Sequence, residues 1–318
     1  MRHHRREGWV ALAIAALGVA LAIARPDYFS RGNLIDLFLA SLPVLIIAAG
    51  MTLVMLAGEI DISVGSVFAA CAVGAGVLAK AGLPLPLVFV LVCMMGGVIA
   101  GINGLLIAYL RLPSIVVSLA TLIALRDALR WATQGAWVDD LPSGFQWMGL
   151  SQAAYPVAAG VLTAALIAAI GWSLRYSAAG RVLYATGSSA GAARLAGIDT
   201  ARVKLAAFAC LGAMTGLAAI VNAMRFNQIP VNTGLGLELK VIAAVVVGGT
   251  AITGGRGTLL GTVLGVVLLG AIGPALTFLG VSAHWERAIQ GAIILVAVAA
   301  DALPRRSERY AGLGATTA

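Results

Sequence analysis

Two acidic side chains and two serines stand close together in the segment 58–66, which reads Gly-Glu-Ile-Asp-Ile-Ser-Val-Gly-Ser. Glu59, Asp61 and Ser63 lie between two apolar runs, with almost no polar loop to solvate them. Ionisable groups in so apolar a setting are costly, and within a membrane they are by default candidates for a functional site. Asp61 or Ser63 could also cap a helix by accepting its free N–H groups. The two roles are compatible, since a broken helix end that faces a cavity can do both.

A second polar stretch, 174–204, is rich in basic residues: Arg175, Arg181, Arg194, Arg202 and Lys204. The pattern predicts a short amphipathic helix near 189–196, with Gly197 as its C-cap. A basic helix in such a loop could lie on a lipid surface or dock in a groove on a partner protein. The residues themselves leave both readings open.

A third stretch, 234–257, carries paired glycines at 248–249 and 254–255, which indicate turns or close backbone approach. A phosphate-binding loop is a weak alternative, because no GxxxxGK[ST] string is present. The only lysines are Lys80, Lys204 and Lys240, and none completes such a motif. If ATP drives this protein, another chain must bind it.

Catalytic, metal and cofactor sites are not predicted. Cys71, Cys93 and Cys210 lie in apolar runs without a CxxC pair, which argues against disulfides and zinc. His3, His4 and His284 show no HExxH spacing, and none pairs with a Ser, Asp or Cys. An intramembrane enzyme is therefore a poor interpretation.

The elements that must position these residues are membrane helices. Of 318 residues, 61% are apolar and 11% charged, and the mean hydropathy is +0.99. About 20 apolar residues cross a bilayer as a helix. We therefore expect an all-α polytopic membrane protein with about ten spans, near 9–24, 35–57, 62–80, 84–110, 114–132, 153–173, 203–224, 239–252, 258–280 and 285–302.

The distribution of basic residues predicts the topology. Most of the 21 Lys and Arg residues fall on one side if both termini are cytoplasmic, as the positive-inside rule requires. We expect a cytoplasmic N-terminus at 1–8, a membrane domain at 9–302 with a cytoplasmic loop at 174–204, and a cytoplasmic tail at 303–318. The N-terminal apolar run ends in Ala22-Ile23-Ala24 and could be a cleaved signal peptide, but an uncleaved first span fits the charge pattern.

Polar residues within or beside the spans are candidates for a path through the membrane. Helix–helix hydrogen bonding is the competing role for each. The candidates are Thr52, Asn103, Asn222, Asn227, Gln228 and Asn232, together with Glu59, Asp61 and Ser63. Gly97 and Gly101, and the repeat at Gly257, Gly261 and Gly265, predict close packing between helices.

With these residues in place, the chain resembles the permeases of sugar-type bacterial ABC importers, the family of the ribose, xylose, rhamnose and autoinducer-2 systems. The resemblance covers roughly 10–303. The block 58–66 is similar to the family signature, Gly180 to Ile198 resembles its cytoplasmic coupling segment, and 234–258 resembles its most specific motif. The sequences Trp137–Pro142 and Gly234–Lys240 are most similar to rhamnose and autoinducer-2 permeases.

The resemblance implies a permease subunit in the bacterial inner membrane that imports a monosaccharide or polyol-like solute without catalysis or cofactor. Its implied partners are a separate ATPase, a second permease and a periplasmic sugar-binding protein. An unlike second permease is favoured over a homodimer, and the sugar stays open. The implied coupling residues are Arg181, Gly191, Ala192, Ala193, Arg194 and Gly197.

Two departures from the family pattern matter. Gly191 stands where a Glu is usual, which removes a carboxylate from the coupling segment. Lys240 stands where many ribose-type members have an acid, so we assign it no role toward solute. A proton-coupled secondary transporter that uses Glu59 or Asp61 is the alternative. It predicts uptake driven by a pH gradient without an ATPase.

Overall fold

The computed structural model describes residues 2–282 and residues 285, 288, 289, 291, 292 and 295, with side chains from residue 7 onward. Within this part of the chain the protein is all-helical, as predicted, and its only β-type pairing is the bridge between Val138 and Ile229. The helices are α1 (Arg2–Ala24), α2 (Arg31–Leu56), α3 (Val64–Lys80), α4 (Leu85–Tyr109), α5 (Ser114–Thr133), α6 (Tyr155–Tyr176), α7 (Ala178–Ser188), α8 (Ala190–Leu195), α9 (Thr200–Ala223), α10 (Leu237–Val247) and α11 (Leu259–Phe278).

Six of these helices, α1, α2, α4, α6, α9 and α11, are long and apolar enough to cross a membrane. Helix α3 is apolar but has 17 residues, and α10 has only 11. Helix α5 has 20 residues but carries Arg126, Asp127 and Arg130. Each of the first nine predicted spans contains one helix, whereas the tenth and the tail at 303–318 lie largely or wholly outside the described residues. The count of ten spans and the side of each terminus stay predictions.

Helices α2 and α9 form the centre of the bundle. About two thirds of the most apolar stretch of α2 is buried inside the protein, and the buried share of α9 is nearly as high. Helix α9 contacts α2, α3 and α4, and α2 also contacts α6, α10 and α11. Ala, Gly and Thr predominate along α9, so its neighbours can approach its backbone closely.

The closest approach between α4 and α9 lies one residue before the predicted glycine pair Gly97 and Gly101. A Cβ on Gly96 or on Gly212 would overlap the carbonyl oxygen of the other residue. At Gly97 the nearest atom would be 3.4 Å away, and at Gly101 it would be 3.8 Å away, both looser contacts. Gly97 and Gly101 therefore contact α9, as the spacing predicted, while the tightest part of the crossing is at Gly96.

The loop predicted at 174–204 folds as two short helices, α7 and α8. Ser177 accepts a hydrogen bond from the Gly180 N–H at 3.1 Å, and Ser189 accepts one from the Ala192 N–H at 3.3 Å. Gly197 follows α8 with φ +81°, a left-handed conformation that favours glycine. The short helix and the glycine that ends it are confirmed.

Candidate translocation site

The break between α2 and α3 is held by a chain of buried polar side chains. Asp61 Oδ1 accepts hydrogen bonds from the Ser63 N–H at 2.7 Å and the Ser63 hydroxyl at 2.6 Å. The Asn103 amide donates to Ser63 Oγ at 3.1 Å, and Thr121 donates to Asn103 Oδ1 at 2.6 Å. Three predicted residues are therefore brought together, and they join the start of α3 to α4 and α5.

This network modifies the predicted capping role of Asp61 and Ser63. Ser63 occupies the N-cap position of α3, but its side chain caps no helical N–H. Asp61 instead accepts from Ser63 itself, and the Ser66 hydroxyl donates to the Ser63 carbonyl at 2.8 Å. The second carboxylate oxygen of Asp61 is buried and has no hydrogen-bond partner among the described residues. Asp61 thus orients the chain before the helix rather than capping the helix.

Glu59 lies just before this network and forms an ion pair with Lys204 of α9. The two side chains are 14% and 22% exposed, so water screens the pair only in part. The pair joins the α2–α3 break to the first turn of α9, directly after the α7–α8 segment. It therefore links two of the three polar stretches seen in the sequence.

Helices α3 and α10 both begin inside the bundle, and their first turns are in contact. Gly236 has φ +81° and leads into α10. The Glu238 carboxylate lies against Gly65 in the first turn of α3. Two short helices that start together within a membrane bundle are a frequent arrangement at transporter sites.

A buried arginine lies beside these helix starts. Arg126 of α5 is 8% exposed, and its Nη1 donates to the Thr233 carbonyl at 3.0 Å. The guanidinium also interacts electrostatically with Glu238. A buried arginine in a membrane helix is expensive unless its donors are used, and here it anchors the segment that leads into α10. Sequence reasoning assigned no site role to Arg126, although a charge within a predicted span was a usable signal.

A cavity of about 400 Å³ opens between α3 and the 222–233 segment. Three predicted path residues, Asn222, Asn227 and Gln228, line it, and the amides share the wall with the aromatic rings of Trp137, which begins the motif 137–142, and Phe226. None of the lining side chains is ionisable. The lining consists of Ala72, Trp137, Asn222, Ala223, Phe226, Asn227, Gln228, Ile229, Pro230 and Thr233.

Two other predicted path residues lie elsewhere. Thr52 is fully buried and forms a hydroxyl–hydroxyl hydrogen bond with Thr262 of α11 at 2.8 Å, so it joins two helices. Asn232 is exposed and is not part of the cavity wall. The candidates thus divide into the Asp61 network, the Glu59 ion pair, the cavity amides and these two separate residues.

The three sequence motifs meet at a junction of glycines next to the end of α2. The Gly255 N–H donates to the Leu56 carbonyl at 3.0 Å. A Cβ on Gly187 of α7 would overlap that carbonyl, and one on Gly254 would be 2.6 Å from the Gly58 Cα. The Tyr184 hydroxyl donates to the Gly257 carbonyl at 2.9 Å. Movement of α7 would therefore press directly on the end of α2 and on the α10–α11 loop.

The predicted coupling residues lie on and around α8. Ala193 is buried, whereas Gly191, Ala192, Arg194 and Gly197 are exposed. Arg181 of α7 is also exposed and donates to the Tyr176 carbonyl at 3.3 Å. Leu195, which sequence reasoning passed over, is 93% exposed at the end of α8. An apolar side chain so exposed beside an arginine suits docking into a partner protein.

No group of His, Cys, Asp or Glu side chains that could hold a metal ion occurs in the described part of the chain. The three cysteines are free thiols. The hydrogen-bonding groups described above are amides, hydroxyls and the partly unpaired Asp61 carboxylate.

Comparison with known proteins identifies the family. Residues 33–298 match the family model described as branched-chain amino acid transport system / permease component. The chain is 37% identical, over 97% of its own length and 90% of the relative's, to the autoinducer 2 import system permease protein LsrC of Yersinia pseudotuberculosis serotype O:3. It is 38% identical to the Salmonella typhi protein of that name, over 97% of this chain and 91% of the relative. No solved structure matches.

These relationships confirm the resemblance read from the motifs, including its autoinducer-2 side, and the inner-membrane location. A permease of an import system works with ATPase and binding-protein subunits, so partners of these two classes are implied. The proton-coupled alternative is not favoured. The chain belongs to the permease family described as branched-chain amino acid transport system / permease component, and it is a membrane permease component of a sugar-type ABC importer.

Proposed function

We propose that this permease imports a small, uncharged, polyhydroxylated solute, of the autoinducer-2 or rhamnose type, across the inner membrane. The observation that carries the proposal is the cavity between α3 and the 222–233 segment. Amide side chains donate and accept hydrogen bonds with hydroxyl groups, and the faces of Trp137 and Phe226 suit the apolar faces of a small sugar. The relatives import autoinducer 2 according to their names.

The family description mentions branched-chain amino acids, but the cavity favours a neutral solute. An amino acid is a zwitterion, and its ammonium and carboxylate would lose part of their hydration in this cavity without gaining a charged partner. The lining residues include no acid and no base. The hydroxyl groups of a neutral solute, in contrast, can be fully satisfied by hydrogen bonds to amide and threonine side chains.

The solute would reach the opposite face through alternating access at the paired starts of α3 and α10. The cavity wall includes Thr233, whose carbonyl is held by Arg126. Glu238 lies against Gly65, two residues after Ser63 of the Asp61 network. A change in the packing of α3 against α10 would close the cavity on one side and open it on the other.

The driving force would come from a separate ATPase that grips α8. Arg194 and Leu195 form its exposed tip, and the glycine junction transmits the movement of α7 to α2 and to the α10–α11 loop. Because residue 191 is a glycine and not a glutamate, we assign the contact with the ATPase to Leu195 and Arg194 rather than to a carboxylate. In this proposal 174–204 and both termini lie in the cytoplasm, as the positive-inside rule also predicts.

The complete importer would contain two permeases, the ATPase dimer and a periplasmic binding protein that delivers the solute. We favour an unlike second permease over a second copy of this chain. Co-expression with the neighbouring reading frames tests this directly. A stable complex that contains only this permease and the ATPase would show that the pair is a homodimer.

The solute is tested in proteoliposomes that contain the complete importer, with ATP on the ATPase side. We expect uptake of a neutral sugar-type solute to exceed uptake of leucine. Asn222→Ala and Gln228→Ala should each raise the KM by about tenfold, the loss of roughly one hydrogen bond to the solute. Gln152→Ala is the matched control, since Gln152 is an exposed amide outside the cavity. Leucine uptake that responds to the cavity variants would overturn the proposal.

ATPase docking is tested by co-purification. Leu195→Asp should remove the ATPase from the complex while the permease still inserts and folds. Leu150→Asp is the control, because Leu150 is an exposed leucine, 43% accessible, well outside 174–204. Full ATPase retention by the Leu195 variant would show that α8 is not the docking element.

A further inference from the structure

An apolar groove of about 410 Å³ lies between α6, α7 and α9, with α2 at its floor. Its walls include Leu53, Ile170, Leu174, Val182, Val203 and Ala206. It is separate from the solute cavity and shares no residue with it. A groove so apolar on a membrane protein is suited to hydrocarbon rather than to a hydroxylated solute.

Arginines lie among the residues that line this groove or next to them in sequence. Arg202 lines it, and Arg175 and Arg181 are next in sequence to lining residues of α6 and α7. Arg202 pairs through Nε with Asp199 at 2.9 Å, and its side chain is 81% exposed. Its two Nη groups have no partner among the residues that the structure describes, so they can donate to a further anion.

Aromatic side chains place this end of the groove at the surface of the membrane. Trp172 and Tyr176 at the end of α6 are 65% and 59% exposed, and their rings lie 6.4 Å apart. The Arg175 guanidinium lies 5.3 Å from the centre of the Tyr176 ring. Exposed Trp and Tyr beside arginine are typical of the level of the lipid headgroups. The groove therefore extends from the headgroup level into the hydrocarbon.

We propose that this groove binds an anionic phospholipid, with one acyl chain between α6 and α9 and the phosphate on Arg202. The arginines supply the charge complementarity, and the apolar walls replace the hydrocarbon environment of the chain. A zwitterionic lipid would fill the same groove but would gain less from the arginines. Because α7 forms one wall, the lipid would contact the element that carries the glycine junction.

Cys210 provides a native probe, because it lines the groove and is exposed, whereas Cys93 lies outside the groove and serves as an internal control. The full-length permease is placed in nanodiscs of phosphatidylglycerol or of phosphatidylcholine. Alkylation of each thiol by a neutral maleimide is followed by peptide mass spectrometry. We expect the Cys210/Cys93 rate ratio to be about fivefold lower in phosphatidylglycerol, the effect of roughly one arginine–headgroup contact.

Arg202→Gln should remove most of this difference, and native mass spectrometry should show one retained phosphatidylglycerol fewer. Arg130→Gln is the matched control, since Arg130 also pairs with an Asp three residues away but lies far along the chain on α5. Equal Cys210 protection in both lipids would overturn the proposal. Protection in lipid-free detergent that increases with permease concentration would also overturn it and would identify a second protein chain as the occupant.

The inference uses the membrane setting of the proposed function but neither its solute nor its ATPase. Nanodiscs present the same lipid on both faces, so the result does not depend on the orientation of the chain. A negative result would leave the transport proposal intact. Conversely, failure of sugar uptake would leave the lipid measurement unchanged.

Discussion

The Glu238 carboxylate of α10 lies directly against Gly65 of α3, where a β-carbon would overlap it. The contact places the first turns of two short helices side by side inside the bundle. Gly234 makes the same approach from the other direction, because a Cβ there would be 2.8 Å from the Gly65 carbonyl oxygen. The bundle is therefore tightly packed here, and the alternating access proposed above would require α3 and α10 to separate.

Gly65→Ala should impair transport more than insertion. The new methyl group would meet the Glu238 carboxylate and would lie 2.7 Å from the Gly234 carbonyl oxygen, which is backbone and cannot rotate away. Overpacking of this kind destabilises by about 1–3 kcal/mol. We expect uptake to fall at least tenfold and the melting temperature to decrease. Gly101→Ala, whose nearest neighbour would be 3.8 Å away, should be close to wild type. Equal uptake by both variants would refute the close contact.

Arg126→Gln should loosen the segment before α10. The change replaces the charged donor to the Thr233 carbonyl with a shorter, neutral amide and leaves Glu238 without its cationic neighbour. A hydrogen bond from a charged donor contributes about 2 kcal/mol. We expect a lower melting temperature and a higher KM for solute, because Thr233 lines the cavity. Arg130→Gln, on the same helix but half-exposed, should change neither quantity. If the two variants behave alike, Arg126 has no positioning role.

The Glu59–Lys204 ion pair should show compensation when its charges are exchanged. Glu59→Lys and Lys204→Glu each place two like charges in contact at a largely buried position. The double variant restores attraction, so a double-mutant cycle on thermal stability should give a coupling energy of about 1–2 kcal/mol. Recovery of uptake in the double variant is expected as well. If Glu59 carried protons, the double variant would stay inactive even with restored stability.

Gly187→Ala should uncouple ATP hydrolysis from transport. The added methyl group would overlap the Leu56 carbonyl and would lie 2.6 Å from the Gly255 nitrogen. We expect the complex to assemble and hydrolyse ATP, but to import solute at less than about a tenth of the wild-type rate, because α7 no longer seats against α2. Gly191→Ala on α8, with its nearest neighbour 4.0 Å away, is the control. Normal uptake by the Gly187 variant would contradict the junction.

Thr52 and Thr262 should prove structural. Thr52→Val or Thr262→Val alone leaves one buried hydroxyl without its partner on the other helix, which destabilises by about 1 kcal/mol. The double valine variant removes both hydroxyls and should recover most of this stability. Uptake should be unchanged in all three variants. A raised KM for solute in the double variant would show that Thr52 belongs to the translocation path.

The sequence alone was sufficient for the helical class, the membrane setting and the family. Hydropathy is decided by composition over windows of about 20 residues, and the motif order around Asp61, Arg194 and Gly254 identifies the permease family. Caps are also local, so the short helix closed by Gly197 was predicted from its own residues. These features depend on residues that are close together in the chain, so they can be predicted from the sequence.

Tertiary structure decided which polar residues share a site. Thr52 and Asn103 are both polar residues within predicted spans. Thr52 joins two helices, however, whereas Asn103 belongs to the Asp61 network. Arg126 and Glu238 are brought together only by the packing of α5 against the segment before α10. The face that one helix turns toward another depends on rotation and crossing angle, which made Gly96 rather than the neighbouring Gly97 the tightest α4–α9 contact. Local sequence does not encode that rotation, because it is set by all the helices packed around it.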